Sequence, residues 1–476
     1  MSTVRVGLLL VSATACRIGF DAAGGDGDGG AAAIDGGGDG GRTDTQVAWV
    51  RRLLSGGGRF SGQPARGRGA GATVVGTFVG DLKIETGAST TMLSSLPGSA
   101  TTGYVVQFDP TGTSSTTTQL SSDLHCELRD AASTELGLVV AGFTAGAGGG
   151  ERGPCDVASP VQAPITFLVD AAGTPSRHAV FAAGGGNAQP WSVAPVAGGY
   201  ALAGVYSGSV ELSPPPPDAA GDEATFVTTV DGTGAAGDTQ GWRNGSYLMP
   251  GPLVVSTSGE LCLLGSYDTA ATVLGAGLAT LGGFDAWVAR FGAGGQRRFV
   301  ASIRSPADES AFGNGAVLAT DTGCVAGVAV GGPALVGATT FPYAGGTDAG
   351  LFVFDAGGAV TGFTVGGAGN EEFQGLLDLG GRWLAMLSYD APLELAGTVL
   401  SPGGADLALV EVDATGVIRV HAVFGGAGLQ TDGQLGQLDA DTVTATFLST
   451  GDLDVAGRTS TTSEAALIVV AIDVGR

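Results

Sequence analysis

The stretch Ala224-Thr-Phe-Val-Thr-Thr-Val-Asp-Gly-Thr-Gly234 decides the fold, because it joins a buried strand to a tight turn and recurs along the chain. Its Asp can accept a hydrogen bond from a backbone N–H two residues on, and its last Gly can take the left-handed conformation that closes a hairpin. Successive copies lie 58 to 63 residues apart. They are anchored at Asp109, Asp170, Asp231, Gly292, Asp355, Asp413 and Asp473.

A repeat of this length with four short strands is typical of a β-propeller blade. Seven anchors therefore predict an all-β, seven-bladed β-propeller of four-stranded antiparallel blades. We label the strands of a blade a to d from the axis outward. The third repeat serves as the pattern, with a at Trp191–Val196, b at Tyr200–Val205, c at Ala224–Val230 and d at Ala236–Trp242. In the first repeat the segment 65–70 is a poor candidate for strand a.

The composition agrees with an all-β chain and argues against a nucleic-acid partner. Glycine accounts for 87 of the 476 residues, well above the usual ~7%, and strands separated by glycine turns explain this excess. No long window shows apolar residues at helical spacing. The formal net charge is −24, whereas a nucleic-acid-binding surface would need a basic face.

The N-terminus is predicted to be an export signal over residues 1–15. A short apolar core, Val6–Val11, precedes the small residues Ala13-Thr-Ala15, and Cys16 follows directly. This site resembles a bacterial lipobox, whose Cys is lipidated after cleavage, although Ala13 stands where Leu is usual. Ordinary cleavage after Ala15 is the alternative. We therefore expect an extracytoplasmic envelope protein, anchored to the outer membrane by a lipid on Cys16 or else secreted.

Residues 16–46 are interpreted as a flexible tether, because they are dominated by Gly, Asp and Ala and cannot bury a core. Calcium binding by their Asp-Gly pairs is an alternative, but the spacing and terminal Glu of an EF-hand are missing. We expect no cofactor. The propeller is predicted over residues 47–476. Its first strand, 47–55, resembles an isolated strand d that could complete the last blade and remove an exposed sheet edge.

One repeat resembles a known family. The segment Phe284-Asp-Ala-Trp-Val-Ala-Arg-Phe-Gly-Ala-Gly-Gly-Gln-Arg-Arg-Phe299 is similar to the bacterial SBBP-type β-propeller repeat of secreted proteins. In that repeat an Asp-aromatic-Val strand is followed by a turn and an outer strand ending in Gly-Gly. Val365-Gly-Gly367 and Phe424-Gly-Gly426 match that ending. The resemblance covers about residues 47–476 as a repeat pattern. It implies a fold and brings no shared catalytic residues.

The side chains capable of chemistry are scattered in the sequence. The three histidines, His125, His178 and His421, lie in different strands, and a zinc site would need further ligands at suitable spacing. Carboxylates cluster in the d-to-a connections, where solvated loop charge is the default expectation. A glycoside hydrolase would need one carboxyl with a raised pKa within a few ångströms of another.

The cysteines predict at most one disulfide, between Cys126 on a strand a and Cys155 in the long loop of the same repeat. Cys262 and Cys324 are assigned to equivalent positions of neighbouring blades. One side chain would then face the neighbouring blade and the other would face away, which violates disulfide geometry. We therefore expect these two to be buried thiols.

The function is predicted to lie on the rim where the b-to-c and d-to-a connections converge, because loops on a rigid scaffold usually carry recognition. The sequence predicts a non-enzymatic envelope propeller that presents this rim to a protein or a glycan. A hydrolase or lyase that acts on polysaccharide, built on the same scaffold, is the alternative. A purely structural surface-layer component is a third possibility. The candidate ligand-binding residues are Asn187, Gln189, Asn244, Tyr247, Asp308, Glu309, Asn370, Glu371, Glu372, Gln430 and Asp432.

Overall fold

The computed structural model describes most of the chain from residue 46 to residue 474. The described residues form 39 strands and contain no helix, so none of their segments could cross a membrane as a helix. The predicted signal peptide and nearly all of the predicted tether lie outside the described residues. The gaps within the described range are 57–59, 66–71, 88, 97–99, 122–124, 147–153, 156, 158, 182–185, 213–215, 217–222, 244–246, 293, 311–314, 414, 456–457 and 461–464.

The strands of the first half of the ring follow the predicted order. The first strand, β1, is Gln46–Ser55. Blade 1 contains β2 (Phe60–Pro64), β3 (Ala72–Phe78), β4 (Asp81–Glu85), β5 (Thr90–Ser94), β6 (Thr102–Phe108) and β7 (Ser115–Leu120). Blade 2 contains β8 (His125–Thr134), β9 (Gly137–Gly146), β10 (Ser159–Val169) and β11 (Pro175–Val180), and blade 3 contains β12 (Ala188–Val196), β13 (Gly199–Ser207), β14 (Glu223–Asp231) and β15 (Ala236–Arg243).

The second half of the ring adds short hairpins to the four-stranded plan. Blade 4 contains β16 (Leu248–Val255), β17 (Glu260–Tyr267), β18 (Ala271–Val273), β19 (Ala276–Leu278), β20 (Asp285–Gly292) and β21 (Arg297–Arg304). Blade 5 contains β22 (Glu309–Ser310), β23 (Ala316–Thr320), β24 (Gly323–Val330), β25 (Ala334–Val336), β26 (Thr339–Phe341), β27 (Asp348–Asp355) and β28 (Val360–Val365).

The last two blades repeat this arrangement. Blade 6 contains β29 (Glu371–Asp378), β30 (Trp383–Tyr389), β31 (Leu393–Leu395), β32 (Thr398–Leu400), β33 (Asp406–Val412) and β34 (Ile418–Gly425). Blade 7 contains β35 (Leu429–Gln437), β36 (Thr442–Thr450), β37 (Leu453–Val455), β38 (Arg458–Ser460) and β39 (Ala466–Asp473). The prediction of a seven-bladed, all-β propeller is confirmed.

The N-terminal strand closes the ring as predicted. β1 pairs antiparallel with β39, with Val50 opposite Val470 and Leu53 opposite Leu467. It therefore serves as strand d of blade 7, whose strand order is β35-β36-β39-β1. Trp49 ties this strand to blade 1, because its indole Nε1 donates a hydrogen bond of 2.9 Å to the Pro110 carbonyl oxygen.

The recurring turn has the geometry that its sequence predicts. The Asp231 carboxylate accepts hydrogen bonds from the backbone N–H groups of Thr233 at 2.8 Å and Ala235 at 3.1 Å. Gly234 takes the left-handed conformation, with φ of +85°. Gly292 has no carboxylate, but its backbone N–H donates a hydrogen bond of 3.0 Å to the Gln296 carbonyl oxygen, and this bond keeps the same turn.

Two details of strand assignment differ from the sequence-based expectations. Strand a of blade 1 is Phe60–Pro64, upstream of the segment at 65–70. The b-to-c connections of five blades are also more regular than expected, because they fold as two-stranded hairpins: β4–β5, β18–β19, β25–β26, β31–β32 and β37–β38.

These hairpins help to join neighbouring blades. The first strands of three of them, β4, β25 and β37, pair with strand d of the preceding blade. Leu274 and Ala396 have φ values of +48° and +49°, and the Gly that follows each also has positive φ. Two consecutive positive φ values indicate the two-residue turn that matches strand twist in a tight hairpin.

The expectation that Cys262 and Cys324 are free thiols is wrong, because the structure bonds them. Cys262 lies opposite Arg290, two residues before the Gly292 anchor, whereas Cys324 lies opposite Phe354, one residue before the Asp355 anchor. The two positions are therefore out of step by one residue. Successive side chains point to opposite faces of a strand, so both sulfurs enter the space between blades 4 and 5. Cys126 and Cys155 are also bonded, within blade 2.

Candidate functional site

The predicted rim residues divide into three groups by burial. We call the face formed by the b-to-c and d-to-a connections the loop face, and the face formed by the a-to-b and c-to-d turns the turn face. Asn187, Asp308 and Asn370 are exposed on the loop face, and Tyr247, Gln189, Glu372 and Asp432 are partly buried. Glu309, Glu371 and Gln430 are fully buried. Asn244 lies outside the described residues.

The expectation of solvated loop charge is thus wrong for Glu309 and Glu371. The backbone N–H of Glu309 donates to the Phe284 carbonyl of the preceding blade at 2.7 Å, and that of Glu371 donates to the Thr347 carbonyl at 2.6 Å. Gln430 makes the same bond to the Ala405 carbonyl at 2.7 Å. Each acceptor immediately precedes a buried Asp at the start of a strand c. Strand a of one blade is therefore fixed beside strand c of the preceding blade.

We call the residues at these equivalent positions of neighbouring blades a junction pair. Its first member stands on strand c, seven residues before the turn anchor. Its second member stands on strand a of the next blade, at the position that Glu309, Glu371 and Gln430 occupy in theirs. Along the chain, five consecutive junction pairs are Ala163–Ala188, Ala224–Leu248, Asp285–Glu309, Asp348–Glu371 and Asp406–Gln430. The same position is thus apolar on one side of the ring and polar on the other.

The Asp285–Glu309 junction pair holds two carboxyl groups in one buried space. Burial raises the pKa of Glu309 to about 9, with the Asp285 carboxyl adding to the shift. Burial also raises the pKa of Asp285. The Leu281 backbone N–H donates to Asp285 Oδ2 at 2.8 Å, and the Ser305 hydroxyl donates to Glu309 Oε1. Asp285 therefore also holds the loop that precedes it.

The Asp348–Glu371 junction pair, in the next blade along the chain, also consists of two buried carboxyl groups. Burial raises the pKa of Glu371 to about 7, and the nearby carboxylates Asp348 and Asp390 raise it further. The Ala344 N–H donates to Asp348 Oδ2 at 2.7 Å, and the Gly367 N–H donates to Glu371 Oε2 at 3.2 Å. Both carboxyl groups are thus anchored by loop backbone.

Tyr247 contributes to an apolar patch on the loop face of blade 4. Its ring packs edge-on against Phe284, with the ring centroids 5.2 Å apart. The side chains of Phe284 and Leu281 remain 39% and 48% exposed. The backbone of Phe284 is held in place, because its N–H donates to Asp308 Oδ1 at 3.0 Å. We call Tyr247, Leu281 and Phe284 the blade-4 patch.

Exposed apolar side chains are concentrated on the loop face. Among the described residues, eight large apolar side chains are exposed, and only Val417 belongs to a turn-face connection. The others stand in b-to-c connections, in d-to-a connections or at the strand ends that lead into them: Met92, Val180, Leu281, Phe284, Tyr343, Val399 and Leu429. Sequence reasoning missed Leu281 and Phe284, because their exposure depends on how the loop before β20 is held.

The turn face offers a different feature. A cleft of about 380 Å³ lies between the a-to-b turns of blades 6 and 7, where Leu379 and Leu438 face it beside Asp378 and Asp439. Both carboxylates accept hydrogen bonds from their own turns. No predicted rim residue lines this cleft. Within the described part of the chain, no group of three or more His, Cys, Asp or Glu side chains is placed to hold a metal ion.

The histidine of blade 2 belongs to a polar network on strand a. His125 Nε2 lies 3.3 Å from Glu127 Oε2, and Arg129 pairs with Glu127 at 2.7 Å. The Arg129 guanidinium also lies over the Trp191 ring of blade 3, 4.9 Å from its centroid. Because a cation over an indole face is attracted to it, this network joins blades 2 and 3.

No family model and no curated protein matches the sequence. The SBBP-type repeat therefore stays a prediction. Among solved structures, a Trypanosoma rangeli sialidase in complex with the inhibitor DANA is 11% identical with a TM-score of 0.37, over 75% of this chain and 56% of the sialidase. The chain thus spans little more than half the length of that protein.

Two further structures have a similar degree of likeness. A Dyadobacter fermentans protein of unknown function is 14% identical with a TM-score of 0.37, over 74% of this chain and 95% of that one. An exo-1,5-alpha-L-arabinanase from a bovine ruminal metagenomic library is 10% identical with a TM-score of 0.26, over 59% of this chain and 91% of that one. Sequence identities and TM-scores this low support no inference about the chemistry of this chain.

Proposed function

We propose that this chain is a non-enzymatic recognition propeller of the bacterial cell envelope, which binds a partner protein through the loop face. The observation that carries this proposal is the distribution of exposed large apolar side chains: among the described residues, seven belong to the loop face and one to the turn face. Apolar patches rimmed by polar groups mark sites of protein association. Aromatic residues and Met are enriched at such interfaces.

The blade-4 patch is the proposed centre of this surface. Leu281 and Phe284 supply exposed apolar area, and the loop that bears them is held by hydrogen bonds to Asp285 and Asp308. A surface that is already ordered loses less conformational entropy on binding. The carboxylates around the patch, together with the net charge of −24, favour a partner with a basic rim, because complementary charge speeds encounter and fixes orientation.

The location proposed for this function rests on the N-terminal sequence. A lipid on Cys16 would attach the propeller to the outer membrane, and the Gly/Asp-rich tether would let the loop face reach a partner. Secretion after ordinary cleavage is the alternative. In either case the propeller meets its partner outside the cytoplasm.

A polysaccharide hydrolase or lyase remains the alternative function. Its support is the pair of carboxyl groups at each of two junctions, because a raised pKa is what a general acid needs. Both Glu309 and Glu371 are fully buried between blades, and a catalytic acid must reach the glycosidic oxygen. Their burial favours a role in holding the blades together.

The test compares the full-length protein with variants on its two faces. The double variant Leu281→Ser/Phe284→Ser removes the exposed apolar part of the blade-4 patch. Val417→Ser, at a residue that is 64% exposed on the turn face, is the matched control. Crosslinking in intact cells, followed by mass spectrometry, identifies the proteins held by each variant.

We expect a partner that is captured by the unmodified protein and by Val417→Ser and is lost with the double variant. Equal capture by all three proteins would place the interface elsewhere. A glycan array with the same proteins tests the other ligand class. If glycan binding disappears with the double variant, the ligand of the loop face is a glycan and not a protein. Cleavage of the glycan would favour the hydrolase.

A further inference from the structure

Two of the junction pairs place four acceptor oxygens where the described part of the chain provides no donor. Asp285 Oδ1 and Glu309 Oε2 are buried without a hydrogen-bond partner among the described residues, and so are Asp348 Oδ1 and Glu371 Oε1. All four residues are at most 1% exposed. A buried acceptor without a donor loses the hydrogen bonds that water would make to it, which destabilises the folded state. Two ionised carboxylates in one buried space would in addition repel each other.

A single proton removes both costs. If one carboxyl of a pair is protonated, its O–H donates to the unpartnered oxygen of the other, and the pair carries one negative charge instead of two. The other oxygen of each of these carboxyls is already occupied, because these oxygens accept hydrogen bonds from Leu281 N, Ser305 Oγ, Ala344 N and Gly367 N. The unpartnered oxygens are therefore the ones left for the shared proton.

The equivalent positions in other blades show that the fold does not require carboxyl groups here. Ala224 and Leu248 fill one junction with apolar side chains, and Gln430 stands beside Asp406 in another as a neutral side chain of the same shape as Glu. We propose that Asp285–Glu309 and Asp348–Glu371 each bind one shared proton in the folded protein. The two junctions are then proton-dependent clasps between blades 4 and 5 and between blades 5 and 6.

The charged groups around each clasp agree with this assignment. Arg304 and Tyr267 lie near Asp285, and the arginine alone offsets part of the negative charge of that junction. The second clasp has Asp390 nearby in addition to its own two carboxyls. Both environments disfavour a second negative charge, and the first does so most strongly, because burial there raises the pKa of Glu309 to about 9.

The direction of the pH effect follows from linkage. A carboxyl in the unfolded chain has a pKa near ~4.3, and the folded-state pKa values of Glu371 and Glu309 are raised to about 7 and about 9. The folded protein therefore binds more protons than the unfolded chain between these limits, and stability falls as pH rises. Each shared proton changes the unfolding constant about tenfold per pH unit in its window.

The test is the pH dependence of chemical unfolding of the full-length protein and four variants. In the unmodified protein each shared proton changes the unfolding constant about tenfold per pH unit. We expect Glu371→Gln to remove this dependence between pH ~5 and ~7, and Glu309→Gln to remove it over the wider window up to pH ~9. Gln430→Glu, which creates a third carboxyl pair beside Asp406, should add a similar dependence. Glu394→Gln, at an exposed glutamate of the loop face, should leave the pH dependence unchanged.

A second measurement does not depend on the folding of any variant. Infrared spectra of the unmodified protein report the C=O stretch of protonated carboxyl groups. We expect this band to persist in the folded protein at pH 6, far above the pKa of ordinary carboxyls, and to weaken as pH rises to 9. Absence of the band at pH 6, or Glu309→Gln and Glu371→Gln variants that both keep the full pH dependence, would overturn the proposal.

Discussion

Cys262 on strand b of blade 4 is bonded to Cys324 on strand b of blade 5, with their Cα atoms 6.0 Å apart. This bond links two neighbouring blades across a sequence separation of 62 residues. A crosslink of that length stabilises a protein by about 4 kcal/mol when it acts through the entropy of the unfolded chain. We expect the double variant Cys262→Ser/Cys324→Ser to lose about this free energy of unfolding, measured by urea denaturation.

The second disulfide provides the comparison. Cys126 and Cys155 are 29 residues apart, so replacing both by Ser should cost less, about 3.5 kcal/mol in the same entropic picture. Mass mapping under non-reducing conditions should recover the Cys262 and Cys324 peptides as one linked species. Recovery of both as free thiols would contradict the bond.

Ring closure predicts a specific role for Gly112. This residue has a φ of +66°, and a Cβ placed on it would lie 2.5 Å from Cδ2 of Trp49 in the closing strand. Gly259 has a similar φ of +79° but has open space at the same point. We expect Gly259→Ala to cost about 1–2 kcal/mol for the left-handed backbone, and Gly112→Ala to cost a further 1–3 kcal/mol, roughly, for the clash.

Thermal and urea unfolding of these two alanine variants measures the difference. Leu53→Ala, at a fully buried position of the same strand, should cost about 2–5 kcal/mol. Gln46→Ala, at the exposed start of the strand, should have no comparable effect. Equal stability of the two glycine variants, or an unaffected Leu53→Ala, would show that the N-terminal strand does not hold the ring.

The repeated turns predict a loss of stability in acid. Hydrogen bonds from Thr233 and Ala235 lower the pKa of Asp231, and those from Thr415 and Val417 lower the pKa of Asp413. A carboxyl with a lowered folded-state pKa stabilises the protein above its unfolded pKa, and this contribution disappears as pH falls below about 4. Asp231→Asn keeps an acceptor oxygen that does not titrate.

We therefore expect Asp231→Asn to show less destabilisation than the unmodified protein when the pH is lowered from about 4 to 2. Asp231→Ala should be less stable at pH 7, because the N–H groups of Thr233 and Ala235 lose their acceptor. Circular dichroism during acid titration measures both effects. Identical acid-unfolding curves for Asp231→Asn and the unmodified protein would show that the Asp231 turn does not contribute to the loss of stability in acid.

The N-terminal sequence predicts the location of the protein. Cys16→Ser should prevent lipid attachment and move the protein from the membrane fraction to the soluble fraction. Mass spectrometry of the mature N-terminus distinguishes a lipidated Cys16 from an unmodified one after cleavage at Ala15. An unmodified Cys16 in the native protein would favour secretion.

The candidate site was only partly predictable from the residues. Tyr247 and Asp308 are predictable because they stand in d-to-a connections, and both reach the blade-4 patch. Glu309 and Glu371 are predictable as rim residues for the same reason, but their burial depends on strand c of the preceding blade, more than 20 residues earlier. Exposure of Phe284 and Leu281 likewise depends on hydrogen bonds to Asp308 and Asp285, which no local pattern reveals.

The sequence alone determined the number of blades, the strand order and the closure of the ring. Each of these follows from local chemistry: an Asp that caps a turn, a Gly that takes positive φ, and apolar strands of fixed length repeated about every 60 residues. Only the tertiary structure decided which side chains of neighbouring blades contact each other. A shift of one residue reverses the face to which a strand side chain points, and that shift brings Cys262 to Cys324. Likewise, only the packing of neighbouring blades decides whether a loop carboxyl meets water or a second carboxyl.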